Sequence, residues 1–151
     1  SLVRYYPLFL SIMSNQTLNK LSEKAKEKIF ELNDSYDVSE LDLLTFIEEH
    51  GEDNFNEYAN TYYEVLENYS QEVIDDWLDI FCIEDIENLE DNYHGQWDSG
   101  ADYAEHICND CGYIPNDMPT WIKIDWEETW EDGLSWDYSI SDNGHVFRTS
   151  W

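Results

Sequence analysis

No lysine or arginine occurs between Ile29 and Ile122, a run of 94 residues that carries 26 Asp and Glu. That gap argues against a direct nucleic-acid binder, whose affinity for phosphate comes from Lys and Arg. It argues against adsorption to anionic lipid on the same ground. The seven cations, Arg4, Lys20, Lys24, Lys26, Lys28, Lys123 and Arg148, all lie outside the run. Cysteine is scarce and odd in number, with Cys82, Cys108 and Cys111 alone, which fits a reducing cytoplasm rather than a disulfide framework. Three Pro and six Gly leave long uninterrupted stretches and exclude a collagen-like or low-complexity chain. Long apolar runs are missing too: Leu8 to Met13 is too short for a membrane span and lacks a small-residue cleavage site. Residues 1–13 read as a leader or a small packed segment, with a start at Met13 as the alternative.

What is present is acid and aromatic in unusual combination. The net charge of -28 over 151 residues is typical of tails that never collapse. Seven Trp, eleven Tyr, six Phe and 42% hydrophobic residues supply far more buriable surface than such a tail contains, so the chain folds. Like charges on a compact body repel and reduce its stability. A negative field kept this clear of cations is therefore expected to serve a partner that itself binds polyanions.

Periodicity predicts a mainly α protein, α+β in class: an acidic helical bundle with a small C-terminal β-hairpin. A first helix is expected from Thr17 to about Asn33, with Leu18, Leu21, Ala25, Ile29 and Leu32 on one stripe. A second is capped by Ser39, turns Leu41, Leu44 and Ile47 inward and stops at Gly51. A third, Asp53 to Asn68, has Phe55, Tyr58, Ala59, Tyr62, Val65, Leu66 and Tyr69 as its buried and half-buried side. The fourth begins at Ser70 and runs to about Asn92 in one or two pieces, any break falling near Cys82 to Glu84. After a turn at His94 and Gly95, Asp98 or Ser99 caps a helix that ends at Gly112, and Asp125 opens another. Asp142-Asn143-Gly144, in which Asn-Gly tolerates positive φ, marks the hairpin turn. The expected organisation is residues 1–36, a leader and a lysine-bearing helix; 37–92, an acidic helical region; and 93–151, short helices and the hairpin.

Carboxylates recur at helical spacing. Glu72, Asp75, Asp76 and Asp79 fall at i, i+3, i+4 and i+7, opposite Val73, Ile74, Trp77 and Phe81, and Glu84, Glu87 and Asp91 repeat the spacing beside Asp85 and Glu90. Like-charged pairs at i and i+4 cost a helix a few tenths of a kcal/mol each. Successive turns separate such groups by about 5.4 Å, on the scale of a nucleic-acid phosphate repeat. Twenty-eight charges at one per 1.7 Å correspond to about 48 Å of duplex, longer than the roughly 38 Å of a compact domain of this size; if the charge imitates DNA, an elongated shape or a dimer is expected. A solvated surface of the salt-adapted kind is the plain alternative, but it does not account for the aromatics or the clustered lysines.

Other chemistry is poorly supported. The stretch Asp53-Asn54-Phe55-Asn56-Glu57 lacks the third-position ligand and sixth-position Gly of a calcium loop. Cys108-Asn109-Asp110-Cys111 is a lone Cys-x-x-Cys, with Cys82, His94 and His106 as conceivable further zinc ligands; because Cys111 falls on an apolar stripe, buried structural thiols are the preferred reading. His50, His94, His106 and His145 are scattered, and neither a nucleophile elbow nor a phosphate-cradling glycine loop occurs. Neither catalytic residues nor a cofactor nor a metal is expected.

Tyr93-His94-Gly95-Gln96-Trp97-Asp98-Ser99-Gly100-Ala101-Asp102-Tyr103-Ala104-Glu105, running on to Gly112, resembles the ArdA-type antirestriction family, in which an acidic helix ends in a Tyr-x-Gly turn before a Ser-capped helix. Ile124-Asp125-Trp126-Glu127 and Asn143-Gly144-His145-Val146-Phe147-Arg148 resemble that family's C-terminal segments in the same order, and Val38 to Gly51 its central helical region. The resemblance covers roughly residues 37–149; ahead of it stand a leader and one helix where the family has a strand-rich domain. It implies a homodimeric protein of a phage or mobile element that imitates DNA, occupies the DNA groove of type I restriction-modification enzymes, and catalyses nothing. The expected phosphate mimics are Glu72, Asp75, Asp76, Asp79, Glu84, Asp85, Glu87, Glu90, Asp91, Asp98, Asp102, Glu105, Glu127, Glu128 and Glu131. Two alternatives stand beside it: an acidic inhibitor of another basic protein, such as a nucleoid protein, a polymerase or a CRISPR effector, and a small metal-binding module.

Overall fold

The computed structural model describes residues 19–151, so Thr17, Leu18 and the opening segment lie outside the described residues. The fold is mainly α with a small antiparallel sheet. It divides into two compact units, one ending at Glu87 and one spanning Asn88–Trp151.

Among the described residues the first unit has four longer helices whose starts are set largely by serine. α1 (Glu23–Tyr36) begins where the Ser22 hydroxyl accepts from the Ala25 N–H at 3.2 Å. The expected continuous helix is corrected here: Ser22 has extended backbone, and a helix begins after it, while the expected start at Thr17 lies outside the described residues. α1 ends at Asp37, in the left-handed region at φ 55°, which a short polar side chain tolerates. α2 (Glu40–His50) is capped by Ser39 and reaches Gly51, whose φ of 88° ends it. α3 (Glu52–Asn68) follows at once, and α4 (Gln71–Ile80) starts from Ser70, which accepts from the Val73 N–H.

Their apolar faces meet in one core of Ala25, Ile29 and Leu32 from α1, Leu43, Leu44, Phe46 and Ile47 from α2, and Phe55, Tyr58, Ala59, Tyr62 and Val65 from α3. α4 adds Val73, Ile74 and Trp77. Leu41, expected inside, is only half-buried; Leu43 and Phe46 take the inward places. After α4 the chain breaks at Phe81 and Cys82 and tightens into a 3-10 segment, Ile83–Asn88. The Trp77 indole, fully buried, donates to the Asp85 carbonyl at 3.0 Å and so ties this segment to α4.

The second unit opens with α5 (Leu89–Asn92) and β1 (Tyr93–Gln96). The expected turn at His94 and Gly95 is a strand. Gly95 has φ 93°, and the pairing of β1 with β3 (His145–Arg148) is irregular between Tyr93↔Phe147 and Gln96↔His145. A glycine that looks like a turn residue here sits in a bulge. β3 pairs on its other side with β2 (Tyr138–Ile140), giving the order β1-β3-β2. In the hairpin turn, Gly144 donates to the Ser141 carbonyl and only Gly144 has positive φ. Asp142 and Asn143 are thus the central residues and Gly144 follows them, rather than Asn143-Gly144 forming the centre.

Ser99 caps α6 (Gly100–Asp110), accepting from the Asp102 N–H, and Asp125 caps α7 (Trp126–Asp132), accepting from the Glu128 N–H. Tyr103 of α6 is the hub of an aromatic cluster, its ring centroid 5.4–6.2 Å from those of Tyr138, Trp97, His94 and Trp130. The Trp130 ring lies against Gly100 so closely that a Cβ there would overlap it. Cys111 is exposed and Cys108 half-buried, so the expected buried thiols are corrected: α6 ends at Asp110, and the stripe that seemed to include Cys111 does not extend to it.

Trp77→Ala is expected to destabilise the first unit by about 3–5 kcal/mol, and urea unfolding followed by far-UV circular dichroism measures it. Gly144→Ala, which meets both its φ of 86° and the Trp97 carbonyl, is expected to cost at least about 1–2 kcal/mol in the same assay.

Candidate functional site

The carboxylate rows stand on ordered helices rather than on a tail. On α4, Val73, Ile74 and Trp77 are buried while Glu72, Asp75 and Asp79 are exposed and Asp76 half-buried, as the i, i+3, i+4, i+7 pattern requires. The row does not continue unchanged past Ile80. Glu84 and Glu87 are exposed on the tighter 3-10 segment, where side chains three apart eclipse.

Asp85 departs from the expectation most. It is half-buried, and its Oδ2 accepts from the Cys82 N–H at 3.2 Å, so it closes the turn that starts the 3-10 segment. Glu84 faces His50, whose Nε2 lies 3.5 Å from its carboxylate. In the second unit Glu90, Asp91, Asp98, Asp102 and Glu105 are exposed, as are Glu127, Glu128 and Glu131 on α7. An open depression of about 560 Å³ on α6 is lined by Asp102, Glu105, His106, Asn109 and Asp110; three carboxylates make it a poor receptor for an anionic or apolar small molecule. His94 adds no compensating charge at pH 7, because burial and then Arg148 hold its imidazole below the ordinary 6.5.

Two acidic features escaped the sequence reading. The outer face of α3 carries Asp53, Glu57, Glu64 and Glu67, all exposed, opposite Phe55, Tyr58, Ala59, Tyr62 and Val65. Their spacing of 4, 7 and 3 is as regular as the apolar spacing that located the helix. The second feature is where the acids fall along each helix. The last turns hold Asp34 in α1, Glu48 and Glu49 in α2, Glu67 in α3, Asp79 in α4, Asp110 in α6, and Glu131 and Asp132 in α7. None of these last turns contains a Lys or Arg, and only α2 has a His. A carboxylate there opposes the negative end of the helix dipole, at about 0.3–1 kcal/mol each.

The cost of crowding is visible at Asp75. Burial first, and then Asp37, Asp79 and Asp76, raise its carboxyl above the ordinary 3.8, while the Gln71 amide, donating at 2.8 Å, works the other way. Asp42 on α2 is raised as well, by burial. Comparison with protein-family models, with curated proteins and with solved structures returns no match for this chain.

A carboxyl held above its ordinary value binds its proton more tightly in the folded chain than in the unfolded one. Its favourable contribution is complete below 3.8 and is lost as pH rises through the raised value, leaving a penalty at pH 7. Asp75→Asn retains an acceptor for Gln71 and removes the penalty. Its melting temperature should therefore exceed that of the wild type at pH 7, with the gain shrinking as pH falls toward 4, a profile that calorimetry at several pH values would record.

Proposed function

We propose that this protein is a DNA mimic that blocks type I restriction-modification enzymes by occupying their DNA-binding groove, with its exposed carboxylates in the place of phosphates. The observation that carries the reading is the placement of acids in the last turn of every longer helix, where they oppose the helix dipole and weaken the fold. Charges that work against folding in six separate helices are accounted for by a partner that needs them. The ArdA-type resemblance supplies the target class and rests on the sequence segments alone. In this reading the protein comes from a phage or mobile element, acts in the bacterial cytoplasm as a homodimer, and is not an enzyme.

The mechanism follows from electrostatics. Lysine and arginine side chains of the DNA groove meet carboxylates of α4 and of the second unit, and complementary fields accelerate the encounter. The interaction weakens as salt screens it. Glu72, Asp75, Asp76, Asp79, Glu84, Asp85, Glu87, Glu90, Asp91, Asp98, Asp102, Glu105, Glu127, Glu128 and Glu131 are the phosphate substitutes in this reading. Asp85, committed to a backbone N–H, is the weakest member of the set.

Titration of the protein into a type I enzyme bound to fluorescent duplex DNA, at two salt concentrations, tests the proposal. Stoichiometric displacement that weakens at high salt is the expected result. Asp75→Lys, Asp76→Lys and Asp79→Lys combined should abolish displacement while preserving the circular dichroism spectrum. No displacement by a folded wild-type protein, with the enzyme active, rejects this target and turns the search to another basic DNA-binding protein.

A further inference from the structure

His50 is the one basic-type side chain in the last turn of any of the six longer helices. Its ring packs against Phe46, with centroids 4.7 Å apart. Its Nε2 lies 3.5 Å from a Glu84 carboxylate oxygen and 3.9 Å from one of Glu49. The three donor atoms fall within 4.8 Å of one another, all on exposed side chains, and come from two segments: the end of α2 and the start of the 3-10 turn. Among the described residues this is the one group of three histidine, cysteine or carboxylate side chains so gathered; Cys82, Cys108, Cys111, His94 and His106 do not form another. Two carboxylates held this close in a chain of charge -28 call for a cation between them. A proton on the imidazole brings one positive charge, whereas a divalent ion brings two and uses the same three atoms.

We infer that Glu49, His50 and Glu84 bind a borderline divalent metal ion of the zinc class. Zinc takes imidazole nitrogen and carboxylate oxygen at about 2.0–2.2 Å in a tetrahedron whose edges are then about 3.4 Å. The His50–Glu84 separation of 3.5 Å already matches such an edge. The His50–Glu49 separation of 3.9 Å closes with a shift of about half an ångström in an exposed side chain. Phe46 orients the imidazole, and three protein ligands leave the fourth position to water. Hard ions such as magnesium prefer six oxygen ligands, so the imidazole selects against them. The bound ion joins residues 50 and 84 and clamps the end of α2 to the 3-10 turn inside the first unit. None of this depends on the restriction-enzyme reading, and its test does not use that enzyme.

Zinc chloride titrated calorimetrically into the chelator-treated 151-residue chain, with Cys82, Cys108 and Cys111 changed to Ser and excess magnesium present, isolates the site from thiol capture and from diffuse counterions. The expected result is a single saturable binding event. His50→Gln and Glu84→Gln, both at exposed positions, should each weaken it about tenfold or more. Zinc should also raise the melting temperature of the parent chain but not of either variant. Zinc binding unchanged in both variants, or suppressed entirely by magnesium, overturns the assignment and leaves only ion condensation on an acidic surface.

Discussion

Repulsion among 35 carboxylates set against seven cations determines what the rest of this molecule has to supply. Ion pairing among the described residues contributes little to the opposing side: the Lys26–Glu23 pair at 3.3 Å spans a single helical turn with its carboxylate largely solvated, a class worth at most about 1 kcal/mol. What holds the helices is apolar burial with an aromatic emphasis, with Trp77, Tyr62, Phe55 and Phe147 fully enclosed. Oxygen caps add to it. Ser22, Ser39, Ser70, Ser99 and Asp125 each accept from a backbone N–H at the start of a helix, and every such cap is worth about 1 kcal/mol. The helix starts are therefore well provided for, while the ends carry acid in the position that a stability-driven sequence would give to lysine.

The same asymmetry separates carboxylates that the fold explains from those it does not. Glu72, Glu84, Asp102, Glu127 and Glu128 lie in first turns, where the dipole favours negative charge and no partner is needed to account for them. Asp79 and Glu131 lie in last turns, and so do Glu67 and Asp110, which the expected set does not contain. If selection for a partner placed these acids, the second group carries the sharper signal, because each member persists against a local cost.

Much of the fold was legible because it depends on local rules. Ser39, Ser70, Ser99 and Asp125 stand before apolar residues at spacings of three and four, so caps and helix faces could be read together. Ser22 was not recognised because Leu18 and Leu21 keep the same period as the helix after it, and periodicity does not register a break in the backbone. β1 was missed for a different reason. Tyr93-His94-Gly95-Gln96 has neither alternation nor a β-branched residue, and its partner, β3, lies some fifty positions away. Only the pairing makes it a strand. The acidic face was legible as exposure and spacing, but the role of Asp85 depends on its carboxylate closing a turn on Cys82, and the meeting of Glu49, His50 and Glu84 depends on tertiary packing between segments 34 residues apart.

A surface adapted to high salt would also be acidic, and the two explanations differ in what they require of position. Solvation by salt and water rewards acid anywhere on the surface, so it gives no reason to keep lysine out of helix ends where one cation would relieve both the dipole and its neighbours. A groove that binds DNA rewards negative charge at regular intervals along a rigid support, and any lysine within the row would repel the groove's own cations. The exposed carboxylates of α3 and α4 have regular intervals, rigid helices behind them and no lysine or arginine within either helix. Asp75 shows what that arrangement costs, since its carboxyl is raised partly by Asp79 and Asp76 of its own row. Crowding that the fold would relieve with one substitution is retained, and the proposed recognition of a basic partner would account for its retention where solvation alone does not.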